Sequence, residues 1–312
     1  MEYPEPYDQS LSSRLLLCTA CGTQFPATDR QQIKTCHICD DVRQYVPRSG
    51  QSFTTLQAIC SSSQGHRNQF EVYEAEERLV FVKTVPQVGI GQRCIIVRTP
   101  QGNVLWDCIT LLDEATIQRI KDMGGLRAIV ISHPHFYTTH VQWARAFACP
   151  VYVAAEDASW TTMPSAHRKL ITETETDIFG TKVIKMGGHF PGSLVLLWQG
   201  RLLIADTILT TPSGLGDWSV NALGEDTTHV PPPPDRNTFT FQWSIPNMIP
   251  LSADELLRMW TVLQPYTFTS THGGFMGQDI EDEGVKGRVL RSMQIQCRYM
   301  GGENHPLMKV TL

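Results

Sequence analysis

The sequence predicts an α/β layered domain that follows a small cysteine-rich module near the N-terminus. Three observations support this prediction. Short β-branched segments alternate with helix-like segments along most of the chain, two closely spaced cysteine pairs lie before residue 50, and several predicted strands end in a histidine or an aspartate. Alternating strands and helices are typical of domains in which helices cover a sheet.

The cysteine module contains two C-x-x-C pairs. Each pair forms a tight turn that offers two thiolates, and two such turns complete a tetrahedral four-sulfur site that suits zinc. The module has few large apolar residues, so we expect its folding to depend on the metal. Three alternatives remain open: His37 in place of one thiolate, free cysteines, and a redox pair. The predicted ligands of this structural zinc are Cys18, Cys21, Cys36 and Cys39.

We divide the chain into the zinc-ribbon-like module with its linker at 1–50 and a main domain at 51–312. Residues from 46 to about 69 are rich in Ser, Gln and Gly, and predict a loop-rich start to the main domain. The clearest strand patterns lie at 78–82, 93–98 and 126–131, and the helical patterns at 112–122, 140–148 and 253–263.

Metal-competent side chains follow several of these apolar segments. They are, in chain order, His133, His135, His189, Asp206 and His272. Imidazole and carboxylate groups at rigid strand ends can hold a metal ion in an open geometry that leaves a position for water. A His-x-His pair alone is weak evidence for a metal site, but five such residues at strand ends predict a catalytic metal site.

At these residues the sequence resembles the metallo-β-lactamase superfamily. The family pattern is His-x-His-x-Asp-His, then Gly-His, then a strand-terminal Asp and a late His, and the chain matches this order from about Arg93 to Gly274. The resemblance implies a four-layer αββα sandwich, in which two packed sheets are covered by helices. It also implies that Asp107, at the end of an early strand, orients the metal ligands without binding the ion itself.

The first motif departs from the family pattern, because Tyr137 and Thr138 stand where the family has the Asp and the third His. In the family those two residues help to bind a second metal ion. One interpretation is therefore a single ion, with Asp206 and His272 as a further ligand or as acid–base groups. The other interpretation keeps two ions by recruiting His140, whose alternative role is a hydrogen bond to nearby backbone. Tyr137 either donates its phenol to a developing oxyanion or fills the space of the missing Asp.

The segment 209–250 differs in composition from its surroundings. It carries four consecutive prolines, 231–234, and the aromatic residues Trp218, Phe239, Phe241 and Trp243. Long irregular insertions are usually functional or disordered. Because this one begins soon after Asp206, we predict that it covers the substrate and that its rings line an apolar pocket. In the alternative interpretation it is a surface loop whose rings anchor it to the core.

Composition narrows the class of protein. The net charge of −5 and the pI near 6.1 disfavour nucleic acid as a partner, because affinity for nucleic acid depends on basic groups that neutralise phosphates. The chain shows neither a secretory leader nor an apolar stretch of the ~18 residues that a membrane span needs. We therefore expect a cytoplasmic protein that does not associate with membranes and keeps its nine cysteines reduced.

These features together predict a metal-dependent hydrolase that uses a metal-bound hydroxide on a small lactam, lactone, ester or thioester. The catalytic groups would be Asp206, His272 and Tyr137, and the substrate would be apolar or aromatic. We expect zinc as the cofactor, one ion in the module and one or two in the catalytic site, with iron as the alternative there. Competing hypotheses are a non-haem iron oxygenase, a nucleic-acid-processing enzyme and a non-catalytic scaffold. The oligomeric state is left open.

Overall fold

The N-terminal part of the computed structural model, which describes residues 5–230 and 236–312, is a small sheet flanked by short helices. Its elements are α1 (Gln9–Arg14), β1 (Leu16–Cys18), β2 (Phe53–Thr55) and α2 (Leu56–Cys60). The strands β1 and β2 pair antiparallel, so the sheet crosses the domain boundary predicted at residue 50. The predicted loop-rich stretch therefore contains regular structure, and the Thr55 side chain caps α2 by accepting from the Ala58 amide.

The first large sheet has seven strands. In spatial order they are β3 (Arg67–Val72), β4 (Leu79–Val85), β5 (Cys94–Thr99), β6 (Gly102–Trp106), β7 (Ala128–Val130), β8 (Val151–Ala154) and β9 (Arg168–Ile171). The strands from β3 to β6 are antiparallel, whereas those from β6 to β9 are parallel. The parallel part brings the carboxyl ends of β6 and β7 to one edge of the sheet.

The second large sheet has six strands. In spatial order they are β10 (Glu175–Ile178), β11 (Thr181–Lys185), β12 (Leu194–Trp198), β13 (Arg201–Leu203), β18 (Ser270–His272) and β19 (Asp279–Glu281). Only the pairing of β13 with β18 is parallel among these strands. Between β13 and β18 the chain forms two short antiparallel strand pairs, β14 (Leu209–Thr210) with β15 (Phe239–Thr240) and β16 (Gln242–Ser244) with β17 (Ile249–Pro250).

Helices cover the outer faces of both sheets. They are α3 (Glu114–Asp122) and α4 (His140–Ala146) on the first sheet, and α5 (Ala253–Leu263) and α6 (Val285–Tyr299) on the second. The structure thus confirms the helical patterns, with ends that differ by a few residues. The sequence prediction missed α6, although its buried residues Val285, Val289, Met293 and Cys297 recur every four positions.

The distribution of buried residues gives the order of the layers. Along β4, Leu79 and Phe81 face the second sheet, whereas Val80 and Val82 face α3 and α4. Burial of both faces is typical of an internal sheet. The cluster between the sheets, the cluster under α3 and α4 and the cluster under α5 and α6 define four layers, α, β, β and α. The predicted four-layer sandwich, preceded by the cysteine module, is confirmed.

The positions of the aromatic rings in the 209–250 segment contradict the prediction that these rings line a substrate pocket. Phe239 and Phe241 are fully buried against α5 and α6, so they anchor the 209–250 segment to the core. Trp243 packs on the same cluster, and Trp218 lies partly exposed near Arg236. The prolines 231–234 lie outside the described residues.

Within the described part of the chain, the helices lack the combination of length and apolar character that crossing a membrane requires.

Candidate metal centre

Four of the predicted ligands meet at one edge of the sandwich. His133 and His135 follow β7, His189 lies in the turn between β11 and β12, and Asp206 follows β13. All four side chains are buried. The turn that carries His189 needs glycine at position 188, where φ is +87° and a Cβ atom would lie 2.5 Å from Thr207 Oγ1.

The ligand atoms have the spacing of a metal site. Asp206 Oδ2 lies 3.2 Å from His133 Nε2, 3.9 Å from His135 Nδ1 and 3.8 Å from His189 Nε2. His135 Nδ1 lies 3.1 Å from His189 Nε2. Bonds of about 2.1 Å to a tetrahedral ion would separate the ligand atoms by about 3.4 Å. The four side chains therefore fit a single metal ion with small adjustments.

The protonation states also suit metal binding. His189 Nδ1 lies 3.0 Å from the Gln242 carbonyl oxygen, which can only accept, so Nδ1 carries the proton and Nε2 presents a lone pair to the cluster. Burial lowers the pKa of His189 to about 3 and that of His135 to about 4, so both imidazoles are neutral near pH 7. Burial by itself would raise the pKa of Asp206, but the adjacent His133 lowers it below its usual range and keeps the carboxylate charged.

Residues behind the ligands hold them in place. Ser132 Oγ lies 2.8 Å from His133 Nδ1, on the far side of the ring from the cluster. Asp107, at φ 62°, accepts a 2.7 Å hydrogen bond from the Ser132 amide. Burial raises the pKa of Asp107 to about 7. Asp107 therefore supports the metal centre through the backbone of Ser132, as a positioning residue and not as a ligand.

The structure places His272 away from this cluster. This position contradicts the prediction that His272 is a metal ligand and a catalytic group. Its Nδ1 pairs with Asp279 Oδ1 at 2.8 Å, and its Nε2 lies 3.3 Å from Ser270 Oγ. Asp279 also receives the guanidinium of Arg93 at 2.6 Å, and the ring of His272 contacts Tyr73 between the sheets. Both ring nitrogens are thus engaged in a buried polar network away from the metal ligands.

His140 and Tyr137 also lie outside the cluster. His140 Nδ1 contacts the Tyr137 carbonyl oxygen at 2.8 Å, which is the first-turn backbone contact that the sequence left as the alternative to a ligand. The Tyr137 hydroxyl donates to the Asp157 carbonyl oxygen at 3.1 Å, and its ring is buried in the core under α4. Tyr137 therefore fills space and is not aimed at a substrate. Thr138 is buried and adopts a positive φ of 38°.

We expect His272→Gln to lower the free energy of unfolding by about 1–3 kcal/mol, because a buried charge-assisted hydrogen bond to Asp279 is lost or weakened. The number of metal ions per chain should not change. Urea denaturation and metal analysis measure the two quantities, with the exposed His229→Gln as the matched control. Loss of one ion at unchanged stability would return His272 to the set of ligands.

The four cysteines form a second cluster, as predicted. Cys18 Sγ lies 3.7 Å from Cys39 Sγ, and Cys21 Sγ lies 3.6 Å from Cys36 Sγ. Sulfur ligands at about 2.3 Å from a tetrahedral ion would be about 3.8 Å apart. His37 lies outside this set of ligands, since its Nε2 lies 3.1 Å from the Trp160 carbonyl oxygen. The cluster therefore fits a four-sulfur metal site of the zinc-ribbon type.

The approach of the cysteine module to the histidine cluster was not predicted from the sequence. Gln44 Nε2 lies 2.8 Å from His135 Nδ1. Arg43 donates to the His189 carbonyl oxygen at 3.3 Å, and its guanidinium lies 3.8 Å from the centre of the Phe190 ring. No motif marks these two residues, and only their position soon after Cys39 hints at a role.

A cleft of about 200 Å³ lies over Asp206, between the module and the main domain. Its module side is formed by Ala20, Gln44 and Tyr45. Its main-domain side is formed by Ile90, Leu209, Ile245, Pro246 and Phe275. The 209–250 segment thus contributes aliphatic residues and a proline to the cleft, and the four aromatic residues predicted to line it are not among the lining residues in the described part of the chain.

Comparison with known proteins finds a relative that matches most of this chain. The Bacillus subtilis (strain 168) protein that carries the name Uncharacterized protein YmaE is 34% identical over 284 residues, which cover 88% of this chain and 94% of that protein. No protein-family model matches the chain.

Solved structures show a weaker likeness. The metallo-β-lactamase FIM-1 from Pseudomonas aeruginosa, in its mono-zinc form, is 15% identical, with a TM-score of 0.48 over 74% of this chain and 96% of that one. TTHA1623 in a di-iron-bound form is 18% identical, with a TM-score of 0.40 over 64% of this chain and 94% of that one.

The relationship to the Bacillus protein extends over most of both chains. The four layers and the cluster of three histidines and one aspartate are established by the structure itself. The chain therefore belongs to the family of the Bacillus subtilis protein YmaE, and its fold is a four-layer αββα sandwich that carries this cluster at one edge.

Proposed function

We propose that this protein is a metal-dependent hydrolase that acts on a small acyl compound, a lactam, lactone, ester or thioester. The observation that supports the proposal most directly is the buried cluster of His133, His135, His189 and Asp206. His133 Nε2 and Asp206 Oδ1 have no hydrogen-bond partner among the residues that the structure describes. Buried polar atoms without partners are costly, and a bound metal ion with its water would satisfy them.

The donor set favours one catalytic ion. Three imidazole nitrogens and one carboxylate oxygen suit zinc, with iron as the alternative. An ion held by the three imidazoles, or five-coordinate with Asp206 as well, would keep a position for water. It would lower the pKa of that water to about 7 and polarise a substrate carbonyl group. Of the other predicted ligands, His272 has both ring nitrogens engaged, and His140 lies outside the cluster with its Nδ1 on the Tyr137 carbonyl oxygen. We therefore propose one catalytic ion and one structural ion in the cysteine cluster.

Asp206 is proposed to orient the attacking water. Its Oδ2 faces the three imidazoles, which leaves Oδ1 as a buried acceptor. The lowered pKa of Asp206 keeps this carboxylate ionised, so it can hold a water molecule by accepting a hydrogen bond. Such a carboxylate is a weak base, and its main contribution would be to the position of the water.

The cleft supports an apolar substrate. Ile90, Leu209, Ile245 and Phe275 give it an apolar wall next to the charged Asp206. The lining residues that the structure describes include no Lys or Arg, which does not favour a nucleic-acid backbone as the ligand. We therefore propose a small acyl compound that carries an aliphatic or aromatic group. We also propose a cytoplasmic location, which the nine unpaired thiols support.

Removal and restoration of the metal tests the proposal. Chelation should abolish hydrolysis, and zinc should restore it at two ions per chain, one of them in the cysteine cluster. The substrates would be a lactone, a lactam, a thioester and an aryl ester, each with a methyl and a phenyl acyl group. We expect the phenyl member of the preferred pair to show the lower KM, because the cleft is apolar.

Two outcomes would contradict the hydrolase. A chain that binds an ion only at its cysteines would have no catalytic metal site. An iron-loaded protein that consumes oxygen with a thiol substrate, and hydrolyses none of the compounds, would be an oxygenase of the same fold.

A further inference from the structure

We propose that Gln44 of the cysteine module binds the substrate oxygen at the catalytic centre, so that the module is part of the active site. The inference rests on the proposed hydrolase and adds a residue that no motif marks. It is supported by the position of Gln44 against a metal ligand, by the way its loop is held, and by the cleft that the module and the main domain share.

The Gln44 side chain reaches a ligand atom of the candidate metal centre. Its Nε2 lies 2.8 Å from His135 Nδ1, which in turn lies 3.1 Å from His189 Nε2. When a metal ion takes the lone pair of His135 Nδ1, that nitrogen can neither donate to nor accept from the amide. The Gln44 amide is then left next to the ion with two N–H donors to satisfy. We infer that these N–H groups would donate to the carbonyl oxygen of a substrate that approaches the same ion.

The loop that carries Gln44 is held from two sides. On the main-domain side, Ser244 Oγ donates to the Arg43 carbonyl oxygen at 2.8 Å, and Asn247 Nδ2 donates to the Gln44 carbonyl oxygen at 3.4 Å. On the module side, the Arg43 guanidinium pairs with Asp41 at 2.7 Å. The same guanidinium stacks on Phe190, next to the ligand His189. A donor held in place before the substrate binds contributes more to catalysis than a mobile one.

The loop that carries Gln44 begins directly after Cys39, so the cysteine cluster fixes the position of its first residue. Asp40, which follows Cys39, accepts from Gln51 Nε2 at 2.7 Å, and Gln51 Oε1 accepts from the Cys36 amide at 2.7 Å. Gln44 lies five residues beyond Cys39, and both residues line the cleft. Because a metal ion would hold Cys39 in place, the ion in the module would control the position of Gln44 at a distance.

The chemistry suits a neutral donor. A carbonyl oxygen gains negative charge when water attacks it, and an amide N–H strengthens its hydrogen bond as that charge develops. The loss of one such donor typically lowers kcat by about 10²–10³ and affects KM less. Gln44 would therefore act on the developing oxyanion, while Asp206 positions the water.

The test uses the cobalt-loaded protein and acetate as the probe, because a carboxylate resembles the product of acyl hydrolysis. We expect Gln44→Ala to bind two cobalt ions with wild-type affinity and to bind acetate about ten- to a hundredfold more weakly, as follows from the loss of a hydrogen bond to a charged group. Visible spectra of the cobalt protein follow both titrations. Gln32→Ala, an exposed glutamine in the same module, should leave both affinities unchanged. Gln44→Glu should weaken acetate binding further, because two carboxylates would then meet.

Three results would overturn the proposal in different ways. Weaker cobalt binding at the histidine cluster in Gln44→Ala would make the amide oxygen a metal ligand. Acetate binding that is the same in wild type and Gln44→Ala, at normal cobalt content, would make Gln44 a packing residue only. A wild-type protein that takes up no cobalt beyond the cysteine cluster would overturn the hydrolase itself.

Discussion

His135→Ala should remove one metal ion per chain and lower hydrolytic turnover by about a thousandfold, while the ion at the cysteines stays bound. The variant removes one of four ligands and leaves a pair of imidazoles with Asp206. A catalytic metal ion supplies several kcal/mol to the transition state, and each ~1.4 kcal/mol corresponds to a factor of ten in rate. Metal analysis of the purified variant and the rate on the preferred substrate measure the two effects.

The fold should survive this substitution, since the cores within the four layers are formed by other residues. Far-ultraviolet circular dichroism checks that point. His229→Ala removes an exposed imidazole outside the cluster and should change neither the metal content nor the rate. An unchanged total of metal in His135→Ala would remove His135 from the metal site, and with it the assignment of the cluster.

Cys18→Ser with Cys36→Ser should release the other metal ion and expose the chain before Gly50 to protease. The buried apolar cluster of the module consists of Cys18, Cys21, Phe25, Cys36, Ile38 and Cys39. Because four of these six residues are the thiol ligands themselves, little apolar surface is left to hold the module together without metal. The module also positions Gln44 and Arg43, so turnover should fall at least as far as in Gln44→Ala.

Limited proteolysis and metal analysis follow this double variant. Cys60→Ser is the matched control, since Cys60 is exposed and lies outside the four-sulfur cluster. A segment that stays resistant to protease in the double variant would show that the module folds without the metal. Wild-type turnover in a variant with an unfolded module would remove the module from the active site.

Several parts of the protein could be predicted from the sequence because their signals are local. The helical pattern at 253–263 coincides with α5 (Ala253–Leu263), whose apolar face and Ser252 cap lie within one short segment. The two C-x-x-C pairs and the strand-end residues His133, His135, His189 and Asp206 form the two clusters that were predicted. The residue type and the spacing along one strand or turn mark these side chains as candidate metal ligands.

Other roles depend on atoms that are distant in the sequence, and only the tertiary structure decided them. His272 looked like a further ligand, but its ring nitrogens are engaged by Asp279 and Ser270 and not by the metal site. Gln44 carries no motif, yet it reaches His135, which is 91 residues away in the chain. A ring nitrogen or an amide forms hydrogen bonds only with atoms that lie within about 3 Å of it in the folded protein. The sequence by itself determined the residues that can bind metal, whereas the way the segments pack together decided which of them meet and what else reaches the site.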